Sequence, residues 1–251
     1  MYGMYLNAVG MAEARATQAT IANNLANAET SGFKRVLTLH AQRDPREANG
    51  AMAGMTGGNI LLPTRLDASQ GALEETRNPL DVALVGDAYL IVADAEDPAA
   101  APMLTRDGRL AVDPNGVLVL GSDASRQVLG ADRQPIRLPA DVAASDLAVA
   151  AAGTLYDALG GGTFGQIGLA RVADPAALIP RGGGLLSPGG PLQPVAPGEE
   201  LLQPGFVERS NVEPTTELTR MIEAGRLLEA NANMIRHADT ALGKLIEAAR
   251  V

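Results

Sequence analysis

The sequence predicts an α+β chain: long N- and C-terminal helices forming a coiled-coil stem, and a mainly-β central region. Three observations predict it. Leu218, Met221, Gly225, Leu228, Ala232, Ile235, Asp239, Leu242, Ile246 and Ala249 recur at alternating spacings of 3 and 4, a heptad seam apolar at all but Gly225 and Asp239. Met4, Met11, Gln18 and Leu25 recur every seven residues, and Ala14, Ile21 and Ala28 follow the last three at a distance of 3, a second seam with Gln18 as its polar member. From about Leu66, short β-type runs alternate with Asp-Gly and Asn-Gly turns.

Composition narrows the classes. The 251 residues are enough for one or two domains. Aromatics are only 3% and Trp is absent, so the cores must be built from small aliphatics. A formal net charge of -9 argues against a nucleic-acid partner and against an anionic membrane surface. With no Cys there is no disulfide framework and no thiolate nucleophile or ligand. The opening MYGMYLNAVGMAEAR has no basic n-region followed by an apolar h-region, so a cleaved signal peptide is not expected. No run of about 18 apolar residues occurs, so no membrane insertion is expected either.

Four segments follow in order: 1–35, 36–65, 66–205 and 206–251. In the first, residues 3–28 read as an Ala-rich helix that stops near Glu29, where Thr30, Ser31 and Gly32 supply turn and cap chemistry. Asn23, Asn24 and Asn27 are poor mid-helix residues, better explained by amides that bond neighbouring backbone or subunits. The connector 36–65 is polar and glycine-rich, and reads as extended or mobile. Within 66–205, Leu104 to Leu120 reads as a hairpin ladder whose Asp residues do turn chemistry. Residues 180–205, rich in Gly and Pro, read as a return linker. In the last segment Asn211 is expected to N-cap a helix with Pro214 in its first turn. A helix from there to the end would run for about 55 Å and needs a partner to cover its seam.

The phrase from Ala22 to Lys34, ANNLANAETSGFK, resembles the N-terminal signature of the flagellar hook and basal-body rod protein family. So do the SQG turn leading to Asn78-Pro-Leu-Asp-Val, the TRDG of residues 105–108, and Gly205-Phe-Val-Glu-Arg-Ser-Asn-Val with the helix after it. The resemblance covers nearly the whole chain in order. It implies a structural subunit of the flagellar basal-body rod, without catalysis and without a cofactor or metal. It also implies assembly with other rod and hook subunits, as homo- and hetero-assembly with helical symmetry, after passage through the flagellar export apparatus to the periplasmic rod. The terminal helices are then expected to order on assembly. Met11, Ile21, Asn23, Asn24, Leu25, Asn27, Gly32 and Phe33 form the implied assembly surface together with Asn211, Leu218, Met221, Leu228, Ile235, Asp239 and Leu242. Length and the Met221-Ile222…Met234-Ile235 phrase lean toward the proximal-rod type over the distal-rod type.

Other chemistry is weak. Gly160 to Gly165 satisfies G-x-G-x-x-G, but a strand-like run follows it, so it reads as a hairpin loop. His40 and His237 have no ligand spacing, and the Glu74-Glu75 and Glu199-Glu200 pairs diverge as neighbours must. Asp239 either sets register in the seam or faces water where the seam drifts. Two other classes stay compatible: a stand-alone coiled-coil oligomer whose β head acts as an adaptor or binding module, and an enzyme with its site in the β region.

Overall fold

The computed structural model describes residues 2–42, 59–97, 100–139, 142–196, 199 and 201–248. They fall into two compact units. Residues 2–26, the described part of 36–65, and 213–248 form one; residues 27–35 join 66–212 in the other.

The first unit is a helix pair, α1 (Tyr2–Ala26) and α2 (Pro214–Ala248). They run antiparallel: Asn24 meets Glu217, Gly10 lies against Asn231, and Met4 and Leu242 line one notch. The helix α1 ends two residues before the expected Ala28. There Thr30 turns the chain, its N–H donating to the Asn27 carbonyl at 3.1 Å and its hydroxyl to Asn27 Oδ1 at 3.2 Å. The packed face of α2 is broader than a two-position seam: Glu217 and Ala224 are buried, and Met221, Gly225, Leu228, Asn231, Ala232, Ile235 and Ala238 are half-buried. It shares Met221, Gly225, Leu228, Ala232 and Ile235 with the predicted seam. It also takes in 217, 224, 231 and 238, each one residue before a seam position, while the seam's Leu218, Asp239 and Leu242 are exposed. Close approach lets Asn231 join the face, since a Cβ on Gly10 would lie 2.8 Å from Asn231 Nδ2. In the connector, His40–Gln42 pairs antiparallel with Asn59–Leu61, so its described part is extended. Most of the glycine-rich run 49–59 lies outside the described residues.

The second unit is mainly β, with short 3-10 turns at Ala144–Asp146 and Pro175–Ala177. Its largest sheet is built on Ala88–Asp94, which pairs with Met103–Thr105, Asp123–Val128 and Leu169–Val172. Leu147–Val149, Thr154–Asp157 and Thr163–Gln166 form a separate antiparallel sheet. Between them the core is aliphatic, with Val82, Leu84, Leu90, Val92, Leu118 and Leu155 at no measurable exposure. Small side chains in near-continuous short strands suit a site covered on both faces. The expected return linker is instead paired: Ile179–Gly182 with Leu185–Ser187, Leu192–Pro194 with Leu169–Val172, and Leu202–Pro204 with Val82–Leu84. Only one of the turns read between Leu104 and Leu120 closes a hairpin, that between Leu110–Val112 and Leu118–Leu120. Thr105, Arg106 and Asp107 are buried instead. The loop 158–162 joins two paired strands, as the hairpin reading of the glycine run has it.

Turn carboxylates tie this unit to acid stability. Hydrogen bonds from Ser69 hold Asp67, from Val117 hold Asp113, and from Ser125 hold Asp123 below the ordinary carboxylate value. A depressed folded value contributes stability that is present above the unfolded value of 3.8 and lost as pH falls through the folded one. Burial pushes Asp107 up, with the opposite sign. The expected result is a melting temperature that drops below about pH 4, with a shallower acid slope in the Asp113→Ala/Asp123→Ala variant. An unchanged slope in that variant counts against these turns as the cause.

Candidate functional site

Three of the sequence phrases converge in the β unit. Gly32 brings the first of them in. Its φ of 67° lies in the left-handed region, and its N–H donates to the Glu208 carbonyl at 2.7 Å. A Cβ there would stand 2.2 Å from the carbonyl carbon of Arg106, so only glycine lets the TSGFK turn lie flat on the TRDG segment. Two residues on, Lys34 Nζ reaches Glu208 Oε1 at 2.6 Å and the Ser69 carbonyl at 2.6 Å. From the second phrase, Arg106 donates to Glu208 Oε2 at 3.0 Å and to the Gly86 carbonyl, and its guanidinium lies 5.0 Å from the Tyr89 ring centre. Glu208 comes from the third phrase, on the strand Phe206–Glu208 paired with Leu73–Glu75, and also accepts the Gly71 N–H at 2.8 Å.

All three charged side chains are at most 2% exposed. Two cations therefore face one carboxylate in a dry site. Burial is the main force pushing the Lys34 ammonium below its usual value and Arg106 adds to it, while Glu208 opposes both. Burial likewise pushes the Tyr89 hydroxyl up. Both Glu208 oxygens are committed to hydrogen bonds, so the arrangement locks three distant segments together and offers no reactive group.

Asn211 serves the same crossing. Its Oδ1 accepts the Arg35 N–H at 2.7 Å, and its Nδ2 donates to the Asp67 and Ser69 carbonyls, each at 3.0 Å. It does not cap α2, contrary to the expectation. Glu213 occupies that place, its carbonyl accepting the Glu217 N–H at 3.1 Å and its carboxylate a bond from the Thr216 hydroxyl at 2.7 Å. The loop from Asn211 to Glu213 separates the two, so the amide is used before the helix begins.

In the helical unit, Asn24 plays the corresponding part. It is buried, its Oδ1 accepts the Val36 N–H at 2.9 Å, and its Nδ2 donates to the Val36 carbonyl at 2.9 Å and to Glu217 Oε2 at 3.3 Å. One amide thus imitates a strand partner for Val36 and ties the end of α1 to the first turn of α2. This is the use expected for the phrase's asparagines, met within one chain. Asn24→Leu is expected to cost about 3 kcal/mol in urea unfolding, because two buried backbone groups lose their partners. A loss under about 1 kcal/mol would show that Val36 finds other partners.

The remaining expected residues divide by exposure. Ile21, Gly32 and Phe33 are buried; Met11, Leu25, Asn27, Met221, Leu228 and Ile235 are half-buried; Asn23, Leu218, Asp239 and Leu242 are exposed. Lys34, Arg106 and Glu208 were not among the expected residues. The available signal was a charged residue inside each of three separate phrases, with no spacing to say that they meet. Among the described residues no group of three or more His, Asp or Glu side chains is placed to hold a metal ion, and no helix is long and apolar enough to cross a membrane.

Comparison with known proteins agrees with the two terminal phrases. Residues 4–34 match the model of flagella basal body rod proteins, and residues 203–248 match that of the C-terminal region of flagellar basal body rod FlgEFG proteins. The chain is similar to the flagellar basal-body rod protein FlgF of Mesorhizobium japonicum, with 31% identity over 91% of this chain and 89% of that protein. It is similar to the flagellar basal-body rod protein FlgG of Bacillus subtilis, at 31% over 98% of both, and to that of Agrobacterium fabrum, at 30% over 95% and 96%.

Proposed function

This chain belongs to the flagellar basal-body rod protein family, and from that premise we propose how it works as a structural subunit of the rod. It assembles with other rod and hook subunits in the flagellar basal body. Copies and relatives pack with helical symmetry into a periplasmic shaft that carries motor torque, each subunit arriving through the flagellar export apparatus. The work is mechanical, and the sealed ion triad supplies rigidity. The proximal-rod position rests on length and on the Met221-Ile222…Met234-Ile235 phrase.

One observation carries this reading. Although α1 lies against α2, Leu218, Ile222, Leu227, Met234 and Leu245 stay between 48% and 66% exposed. At 3.6 residues per turn they form rows on both sides of the packed stripe, which is how a helix offers itself to further helices. Leu218, Asp239, Leu242 and Asn23 are the implied assembly residues that are exposed in one copy.

The test is Leu218→Glu/Ile222→Glu in the full chain. The isolated subunit is expected to unfold within about 0.5 kcal/mol of the unaltered protein, while cells relying on it lose motility and their basal bodies lack it. Normal incorporation would overturn the reading. Deleting residues 1–35 would mix two effects, since Lys34 is locked inside the β unit.

A further inference from the structure

Leu159 has the greatest exposure of the large apolar side chains among the described residues, 81%. It sits at the tip of the hairpin formed by Thr154–Asp157 and Thr163–Gln166. Asp157 Oδ1 accepts the Leu159 N–H at 2.8 Å, and Gly161, with φ 71°, continues the turn. The leucine is therefore held out on a shaped turn whose first residue is a carboxylate.

A small notch opens at the base of the same hairpin, beside Ala152 and Gln166, with a volume of about 40 Å³ and Ile91, Ile167, Leu192 and Val195 among its walls. At roughly 10–15 Å³ per water-sized group it has room for about three, the size of the branched end of a leucine. Four residues of strand rise about 13 Å, so the tip cannot fill the notch beneath it. Arg133 stands at the rim with φ 62°, a left-handed conformation costly for any side chain but glycine. It is exposed, and its guanidinium has no ion-pair or hydrogen-bond partner among the described residues.

Glu199 also lines the notch, but Arg171 holds its two oxygens at 3.4 and 2.8 Å, so Arg133 is the charge left to meet Asp157. We infer that Leu159 of one copy seats in the Arg133-rimmed notch of a second copy of this chain, with Asp157 facing Arg133. The two patches differ, so the contact is heterologous and repeats from copy to copy without closing on itself as a two-fold dimer would. It rests on the rod-subunit reading and adds to it a contact between β units, separate from the helix faces.

The chain has no Cys, so Leu159→Cys/Ala131→Cys carries the only thiols, one at the tip and one at the notch. Oxidised basal bodies containing this variant are expected to yield a ladder of covalently joined copies, which either single variant lacks. Arg133→Glu is expected to lower incorporation and Arg133→Lys to keep it, a difference that follows from charge and that a purely backbone role for the residue would not produce. An incorporated subunit without a ladder, or equal incorporation of Arg133→Glu and Arg133→Lys, overturns the knob-and-notch contact while leaving the rod reading intact. Absence of the unaltered subunit from basal bodies overturns both.

Discussion

Glu208→Gln is expected to lower the stability of the β unit by about 3–5 kcal/mol, the largest loss of any single charged residue here. The change is nearly isosteric, so little of the loss comes from packing. It strands Lys34 and Arg106, two cations at most 2% exposed, without an anion. Breaking a buried pair costs more than the pair contributes, because the remaining charge cannot return to water. The pH dependence separates this from general damage. Burial already holds Lys34 below its usual 10.5, so folding releases its proton between the folded and unfolded values, and stability rises with pH across that window. Without Glu208 the folded value falls further, and the deficit should narrow as pH climbs toward the unfolded value of 10.5. Urea midpoints of both proteins across that range check it. A deficit independent of pH would mean that lost shape, and not stranded charge, is responsible.

Gly32→Ala is expected to be nearly as damaging, at roughly 2–5 kcal/mol from two costs that add. The left-handed φ of 67° costs an L side chain about 1–2 kcal/mol. The new methyl would also stand 2.2 Å from a backbone atom of Arg106, and overpacking of this kind costs about 1–3 kcal/mol. Gly86→Ala is the control: its φ of 81° is also left-handed, but nothing lies within 4 Å of the added carbon, so only the first cost applies. Thermal unfolding of the two variants should therefore differ clearly, and equal losses would discount the clash. Because Gly32 lies where the first phrase crosses the other two, its loss should also abolish motility in cells relying on the variant.

The two substitutions act on one crossing, whose members are far apart in the chain: Lys34 and Glu208 are separated by 174 positions, Arg106 and Glu208 by 102. No periodicity links residues at such distances. The turns and elements were legible because their causes are local. Asp113 bonding the N–H groups of Asn115 and Val117 needs only neighbouring residues, and so does the halt of α1 at Thr30. Asn211 was misread because its amide suits a helix cap as well as a loop crossing, and only the position of Arg35 decides between them. The paired segments within 180–205 were hidden by Gly and Pro, which mark both linkers and the ends of short strands.

By itself the sequence determined that both ends are helical, that the middle is β with a small-aliphatic core, and that the chain joins the rod family. Each of these follows from a repeat or a phrase read along the chain. Tertiary structure alone decided how far the packed face of α2 extends beyond the seam. No repeat foretells that Glu217, Ala224 and Asn231 are covered beside Gly225 and Ala232, since that depends on Gly10 leaving room for the Asn231 amide and on Asn24 meeting Glu217. It alone also decided that Lys34, Arg106 and Glu208 meet, because a buried charge finds its counter-charge in space and not in sequence.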